Sequence, residues 1–544
     1  MGTARPRSRH YADLLDEIVA RHPDREALVF ESRRLTYRQL VEEAARVARG
    51  LHGLGVRPGD RVAAILSNRL EWPVLAFGAF QLGATFVPLS TWYRAWDLDH
   101  AIRHCRAQFL VTMEAFRGNR YVDALCELAP ELPAQTREHL SLERFPDLRR
   151  LVVLGASSTL PSAYTWDELL DLGEGVPDAA LAECREAASP EDLAYLLYTS
   201  GSTAAPKGVM VQHAGCCENG FDIGERLHLT HEDRVWLVVP MAWALGSQNA
   251  MSAIVTHGAC MVLQEHMEAG AALQLLSRER VTAIYSTANI VTALCEHPDH
   301  GTADLSALRT AATSGHPEEI RRAIEELAAP EACNIYGATE TYGNCCVTDA
   351  WDPVEIKLQS QGRPLPGMEL RVMDPETGAW LAPGETGEVL VRGHIVPGYW
   401  DDPENTAAAF RDGYYYTGDL GYLDERGFFH FVSRRKELIK TGGINVAPAE
   451  VEAFLTEHPE VKEAYVVGVP DPVKDEAVAA VVQRKAGTTL AAGDLLAYCR
   501  SRIAGFKIPE RFVFVEEEQV PRTSTGKVNK RELLHLLEAE PERA

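Results

Sequence analysis

Short apolar runs recur along the first two thirds of this sequence, and most are followed by a helical stretch of ten to fifteen residues. Val62–Leu66, Ala84–Val87, Leu193–Tyr198, Val281–Tyr285 and Cys333–Ile335 are such runs. Strands that alternate with helices of this length require crossover connections, and these build a mostly parallel, layered α/β core. Ahead of them, residues 11–50 read as a helix, a hairpin around Glu31-Ser32-Arg33 and a second helix from Tyr37 to Leu51. From Gly362 to Val432 the character changes. Turns such as Pro375-Glu376-Thr377-Gly378 and Asp412-Gly413 crowd together, which predicts a small β subdomain over about 362–432. After Arg434 a compact tail of about 110 residues mixes strands and helices.

A chain of 544 residues with a formal charge of -24 is not a general nucleic-acid binder, which would present a basic face. Any polyanionic substrate must instead be drawn in by local positive groups. The eleven cysteines are odd in number and contain no CxxC, so they do not form a disulfide framework, and a reducing, cytoplasmic setting is expected. The N-terminal arginines are not followed by an apolar segment of signal-peptide type. The longest apolar run, Val235–Gly246, contains Pro240 and is too short for a membrane span; it reads as a buried strand and turn. Arginine fills most basic positions. The chain has ten lysines, and none precedes Lys207. A lysine in a Gly-rich segment is therefore less easily dismissed as filler.

Four segments carry chemistry. Thr199-Ser200-Gly201-Ser202-Thr203-Ala204-Ala205-Pro206-Lys207-Gly208 follows an apolar strand and offers backbone N–H groups, hydroxyls and one ammonium to phosphate oxygens. It is not a Walker A loop, because the GxxxxGK[ST] order is absent. Asn334-Ile335-Tyr336-Gly337-Ala338-Thr339-Glu340 supplies a ring that can stack on a base and a carboxylate that can hold Mg²⁺ beside phosphate. Thr417-Gly418-Asp419, with the basic run Arg434 to Lys440 ending in Gly442-Gly443, supplies a carboxylate suited to ribose hydroxyls and a passage for a narrow ligand. Pro521 to Lys527 is a turn-rich loop that ends in a lysine. Each segment alone has a plain alternative: a flexible loop, a buried tyrosine, a solvated basic face, an exposed lysine.

Taken in order and at their spacing, the four resemble the adenylate-forming superfamily of acyl-CoA synthetases, adenylation domains and beetle luciferase, over nearly the whole chain. The resemblance implies an acid–thiol ligase of the acyl-CoA synthetase type. It also implies a large N-terminal domain over 1–433 and a small, mobile α+β C-terminal domain over 434–544: ATP converts a carboxylic acid to an acyl-adenylate, a thiol then displaces AMP, and the small domain rotates between the two steps. By the same resemblance, Thr199, Ser200, Gly201, Ser202, Thr203, Ala204 and Lys207 surround the β- and γ-phosphates. Gly315, His316, Tyr336 and Gly337 lie at adenine, Thr339 meets the α-phosphate and Glu340 binds Mg²⁺. Asp419, supported by Arg434, holds ribose. Lys527 bridges the acyl carboxylate and the α-phosphate, Lys436 is the hinge, and Lys440, Gly442 and Gly443 line the CoA tunnel. Trp243, Ala244, Gly246 and Ala338 fall at the acyl pocket. Implied partners are a small carboxylic acid, ATP or an acyl-adenylate, and coenzyme A. The oligomeric state, monomer or homodimer, is not readable.

Three positions depart from the family pattern: Ala204 stands where the phosphate loop has glycine, Ser314-Gly315-His316-Pro317 replaces Gly-Gly-Ala-Pro, and Trp243 replaces a frequent histidine. Four readings therefore stand side by side. The chain is a complete acyl-CoA ligase for a bulky, mostly apolar acid; or a thioester-forming enzyme supplied with adenylate by a partner ligase; or a ligase that loads a carrier protein or an amine; or a non-catalytic adenylate-binding regulator. The joint presence of Lys207, Glu340, Asp419 and Lys527 argues against the last.

Overall fold

The computed structural model describes residues 3–155, 160–199, 206–315, 317–435, 439–441, 444–446, 448–471, 475–500, 503, 505–523, 528–539 and 542–543. It is an α/β protein whose chain divides into two compact units, one of residues 1–369 and 391–415, the other of residues 370–390 and 416–544.

The first unit contains two large sheets. In the seven-stranded sheet, Arg61–Ile65 lies between Thr85–Pro88 and Phe109–Met113, and the pairings are parallel except at one edge, where Lys207–Gln212 returns antiparallel on Leu193–Thr199. In the nine-stranded sheet, Glu26–Phe30, Cys260–Leu263, Arg234–Leu237, Ala283–Tyr285, Thr310–Thr313 and Cys333–Tyr336 run side by side in parallel. The helices behind these strands are placed by ordinary local chemistry. Tyr37–Leu54 starts at a capping box formed by Thr36 and Gln39 and stops at Gly55, whose φ of 108° is open to glycine. The core below is aromatic. Tyr11 stacks on Phe80 at 5.0 Å, and Phe80 meets Tyr195 edge-on at 5.2 Å.

The runs at Val62–Leu66, Ala84–Val87, Leu193–Tyr198, Val281–Tyr285 and Cys333–Ile335 lie within two residues of observed strands, whereas Phe109–Met113, Cys260–Leu263 and Thr310–Thr313 are not among the runs read from sequence. The run Val235–Gly246 behaves differently from expectation at its end. After the strand Arg234–Leu237 and a turn, the backbone becomes helical over Leu245–Met251 with i→i+5 bonds, Asn249 N–H donating to Ala244 C=O at 2.9 Å. A wide turn of this kind is a frequent companion of functional sites. Nothing in an apolar run distinguishes it from an extended strand.

In the second unit, Val461–Asp471 and Asp475–Arg484 form an antiparallel pair continued in parallel by Arg511–Val515. Their period-two alternation feeds two cores. Val466, Val478, Ala480 and Val482 pack with Leu455, Leu495 and Phe512, while Val467, Ala477, Ala479 and Val481 pack with Leu533 and Leu537. All eleven cysteines are free thiols, and burial pushes Cys105 up to about 12. Among the described residues no helix is long and apolar enough to cross a membrane.

Candidate adenylate-forming site

In the first unit the phosphate-loop segment is the connection of an edge hairpin. Thr199 and Lys207 are paired across it, and Ser200, Gly201, Ser202, Thr203 and Ala204 lie outside the described residues. Both ends are braced by one helix, Ala95–His104. His104 bonds the Tyr198 hydroxyl at 2.9 Å, and His100 lies 3.3 Å from the Pro206 carbonyl. Burial first, then His100, lowers the pKa of His104, which favours a neutral ring at the Tyr198 contact.

Lys207 opens the returning strand. Its ammonium donates to Asn405 Oδ1 at 3.0 Å and lies 4.8 Å from the centre of the Tyr399 ring. On the same tyrosine, the hydroxyl donates to Glu340 Oε1 at 2.8 Å. Glu340 is 9% exposed, and Tyr399 is 6% exposed. Burial, then the adjacent Glu340 carboxyl, pushes the Tyr399 phenol up, so it stays a donor. Lys207 and Glu340, far apart in sequence, are thus gathered around one buried ring.

Glu340 is delivered by strand Cys333–Tyr336 and a single turn of 3₁₀ helix, Thr339–Thr341. The turn is fixed from two sides: Gln248, on the wide helical turn, donates to the Thr339 carbonyl at 3.0 Å, and Val396 N–H donates to the Glu340 carbonyl at 3.0 Å. Gly337 is demanded by close approach, since a Cβ there would lie 2.3 Å from the Gly343 carbonyl oxygen. Tyr336 and Ala338 are half-buried beside it. Gly315 is exposed, and His316 lies outside the described residues.

At the expected acyl pocket, Trp243 and Trp92 meet edge-to-face, 5.1 Å apart at 89°. Trp243 is half-buried, and its buried indole N–H has no hydrogen-bond partner among the described residues. Ala244 is half-buried too. Gly246 is small for a backbone reason: a Cβ would lie 2.5 Å from the Pro240 carbonyl oxygen.

In the second unit, Asp419 follows Gly418 at φ 70° and faces Arg434 across the hairpin of Tyr414–Leu423 and Phe429–Arg434. Its backbone N–H is held by the Thr417 hydroxyl at 3.0 Å. Lys440 lies in the short strand Ile439–Thr441; Lys436, Gly442, Gly443 and Lys527 lie outside the described residues.

Sequence reading did not single out Tyr399, Asn405, Trp92 or Gln248. The one available signal was Gly398-Tyr399-Trp400, two aromatics after a glycine in a turn-rich stretch. No group of three or more His, Cys, Asp or Glu side chains among the described residues forms a ready metal cage. A single buried carboxyl, with one oxygen bound to a phenol and the other without a hydrogen bond among the described residues, does fit Mg²⁺ of the kind that completes its shell with phosphate oxygens and water.

The AMP-binding enzyme family model matches residues 15–400, and the model of the AMP-binding enzyme C-terminal domain matches residues 450–527. The chain is 34% identical over 527 residues to YngI of Bacillus subtilis (strain 168), covering 96% of this chain and 95% of that protein. It is 34% identical over 537 residues to the mitochondrial medium-chain acyl-CoA ligase ACSF2 of Bos taurus, covering 96% of this chain and 87% of that one. The anthranilate CoA ligase AuaEII, solved with anthranoyl-AMP, superposes with a TM-score of 0.84 at 26% identity, over 98% of this chain and 97% of that one.

Proposed function

This chain belongs to the AMP-binding enzyme family and is an AMP-forming acid–thiol ligase, and we propose that its substrate is a bulky, mostly apolar carboxylic acid joined to coenzyme A. The observation that carries the reading is the gathering of Lys207, over the Tyr399 ring, and Glu340, at its hydroxyl. An ammonium and a carboxyl held this way suit a polyphosphate with its divalent cation.

A carboxylate is a poor electrophile because it is anionic. In the proposed first half-reaction its oxygen attacks the α-phosphorus of ATP, the bond to pyrophosphate breaks, and a mixed anhydride forms. Lys207 and the segment Thr199–Ala204 hold the departing phosphates, Thr339 meets the α-phosphate, and Lys527 offsets the charge that develops between acid and phosphate. Glu340 holds Mg²⁺, which when bound draws charge from the phosphates. Tyr336, Gly337, Gly315 and His316 flank adenine, and Asp419 with Arg434 takes the ribose. In the second half-reaction the CoA thiolate attacks the acyl carbon and AMP leaves. Residues 434–544 are proposed to turn about Lys436 between the two, bringing Lys440, Gly442 and Gly443 beside the pantetheine arm.

For the acid, the support is the edge-to-face pair of Trp243 and Trp92, together with the small residues Ala242, Ala244, Gly246 and Ser247 that flank Trp243 in sequence. A second reading rests on Ala204: adenylation is weakened, and the enzyme works chiefly on an adenylate supplied by a partner ligase. Both readings are tested by offering a panel of acids with ATP, Mg²⁺ and CoA, and in parallel the synthetic acyl-adenylates with CoA, with thioester read by mass spectrometry. Thioester in the first arm supports the complete ligase. Thioester in the second alone supports the supplied-adenylate reading, and none in either removes both.

A further inference from the structure

Tyr399 belongs to none of the four segments in which the sequence concentrates its chemistry, yet it touches the two groups that the first half-reaction needs most. Resting on the ligase reading above, we propose that Tyr399 is a positioning residue that sets Glu340 for the cation and Lys207 for the phosphates, with Asn405 as the second half of the clamp.

The backbone around Tyr399 is tied directly to the strand that carries Lys207. Met210 N–H donates to the Gly398 carbonyl at 3.0 Å, and Trp400 N–H donates to the Gly208 carbonyl at 2.8 Å. These two bonds bracket Tyr399, which stands opposite Val209 as a strand partner. The ring therefore moves with the strand. Behind it the chain closes on itself. Thr406 Oγ accepts from Tyr399 N–H at 3.0 Å and donates to the Asp402 carbonyl at 2.7 Å. Gly398 allows the approach, because a Cβ there would lie 2.5 Å from the Thr406 methyl.

Asn405 is oriented by the same turn. Asp402 caps the helix Pro403–Ala409 and accepts from Asn405 Nδ2 at 2.8 Å, which turns the amide oxygen to Lys207. A lysine has a long stem with many rotamers, and ordering it only when substrate arrives would cost entropy at that moment. Here the ammonium is held in advance by a ring and an amide oxygen. Glu340 is treated likewise. The phenol occupies Oε1 and so fixes the plane of the carboxyl, in the way that outer partners orient metal ligands generally.

The two halves separate by substitution. Tyr399→Phe keeps the ring beneath Lys207 and removes only the donor to Glu340, with no change of volume that would threaten folding. Outer-shell partners of metal ligands typically carry about tenfold in metal affinity. ATP binding to the whole enzyme, followed by calorimetry over a Mg²⁺ series, should show Tyr399→Phe needing about tenfold more Mg²⁺ to reach full ATP affinity, while ATP affinity without metal stays at the parent value. Asn405→Ala should show the reverse: weaker ATP binding without metal and an unshifted Mg²⁺ requirement. A parent-like Mg²⁺ requirement in Tyr399→Phe overturns the proposal, as does a loss of ATP affinity that appears equally without metal. No acid enters this measurement. Failure of every acid to give thioester would count against the ligase reading and leave the binding result standing on its own.

Discussion

The Asp419 carboxyl and the Arg434 guanidinium meet across one rung of an antiparallel hairpin, Nε to Oδ1 at 3.2 Å. The two are unequally placed: the Asp419 side chain is 9% exposed and that of Arg434 is 62% exposed. An ion pair with one partner so open contributes only about 0–1 kcal/mol to folding. Arg434→Ala should therefore leave the melting temperature almost unmoved and yet weaken AMP or ATP binding several-fold, because the arginine steadies the carboxyl that is proposed to hold ribose. Asp419→Ala should weaken binding more. Parallel thermal melts and nucleotide titrations separate the effects, and a large drop in melting temperature for Arg434→Ala would assign the pair to folding instead.

Gly337 should tolerate no side chain. A methyl group there meets the backbone of the neighbouring segment, the Gly343 oxygen at 2.3 Å and the Asn344 Cα at 2.5 Å. Backbone cannot rotate away as a side chain can. Overpacking of this kind costs about 1–3 kcal/mol, and relief here must displace the loop between Tyr336 and Glu340. Gly337→Ala should lower both the denaturation midpoint and the affinity for nucleotide. Loss of stability with unchanged affinity would show that the loop relaxes away from the ligand.

The fold was largely legible because burial imposes a period on sequence. Leu193–Leu197 and Val62–Ile65 are continuous apolar runs of strand length; the second lies between two parallel neighbours, and the first between a parallel neighbour and the antiparallel edge strand. Lys207 is the first lysine of the chain and ends a loop of small and hydroxyl residues, whereas Glu340 is marked only by the order and spacing of its segment among the other three. Tyr399 bears no such mark. Its role depends on a strand pairing with residues nearly two hundred positions earlier and on a hydroxyl contact with Glu340, and neither leaves a local trace. Asn405 was hidden for the same reason, since a capped turn explains it locally without reference to Lys207.

Trp243 offers a wall whose N–H has no partner among the described residues and whose ring meets that of Trp92 edge-to-face. Trp243→Ala should widen the range of acids or acyl-adenylates accepted, and Trp92→Ala should do so to a smaller degree, with ATP affinity unchanged in both. Competition between acids of increasing bulk, read as ratios of kcat/KM, tests this. Identical acyl preference in variant and parent removes Trp243 from the pocket.

His213 makes folding sensitive to acid. It is 1% exposed, and its ring lies 3.9 Å from that of His10, which is 3% exposed. Burial first, then the His10 ring, lowers the His213 pKa well below 6.5, and burial lowers that of His10. With the folded-state pKa depressed, a neutral histidine contributes stability that is fully present above pH 6.5 and lost as pH falls, because the unfolded chain takes up the proton first. The loss reaches about 1.4 kcal/mol per pH unit for each histidine. His213→Phe, set among Tyr11 and Phe80, should flatten the fall in urea midpoint between pH 7 and pH 5. A parallel fall in variant and parent would place the acid sensitivity elsewhere.

Ala204 bears on whether the enzyme activates its own acid. The residue lies outside the described part of the structure. Glycine serves phosphate loops because it reaches positive φ freely and lets N–H groups close on oxygen. Where such an angle is required, alanine costs about 1–2 kcal/mol. Felt in the adenylation transition state, that is a slowing of about five- to thirtyfold. Contact between the methyl group and a β- or γ-phosphate would add to it. Attack of thiol on a finished adenylate involves no pyrophosphate and is spared. Ala204→Gly should therefore accelerate thioester formation from acid plus ATP by about five- to thirtyfold and leave formation from supplied acyl-adenylate at the parent rate. Strain of this size slows adenylation without abolishing it, so a complete block in the parent would require the steric contact as well. An ordinary rate of adenylation in the parent, or no acceleration in Ala204→Gly, would show that the loop accommodates alanine and that no partner ligase is needed.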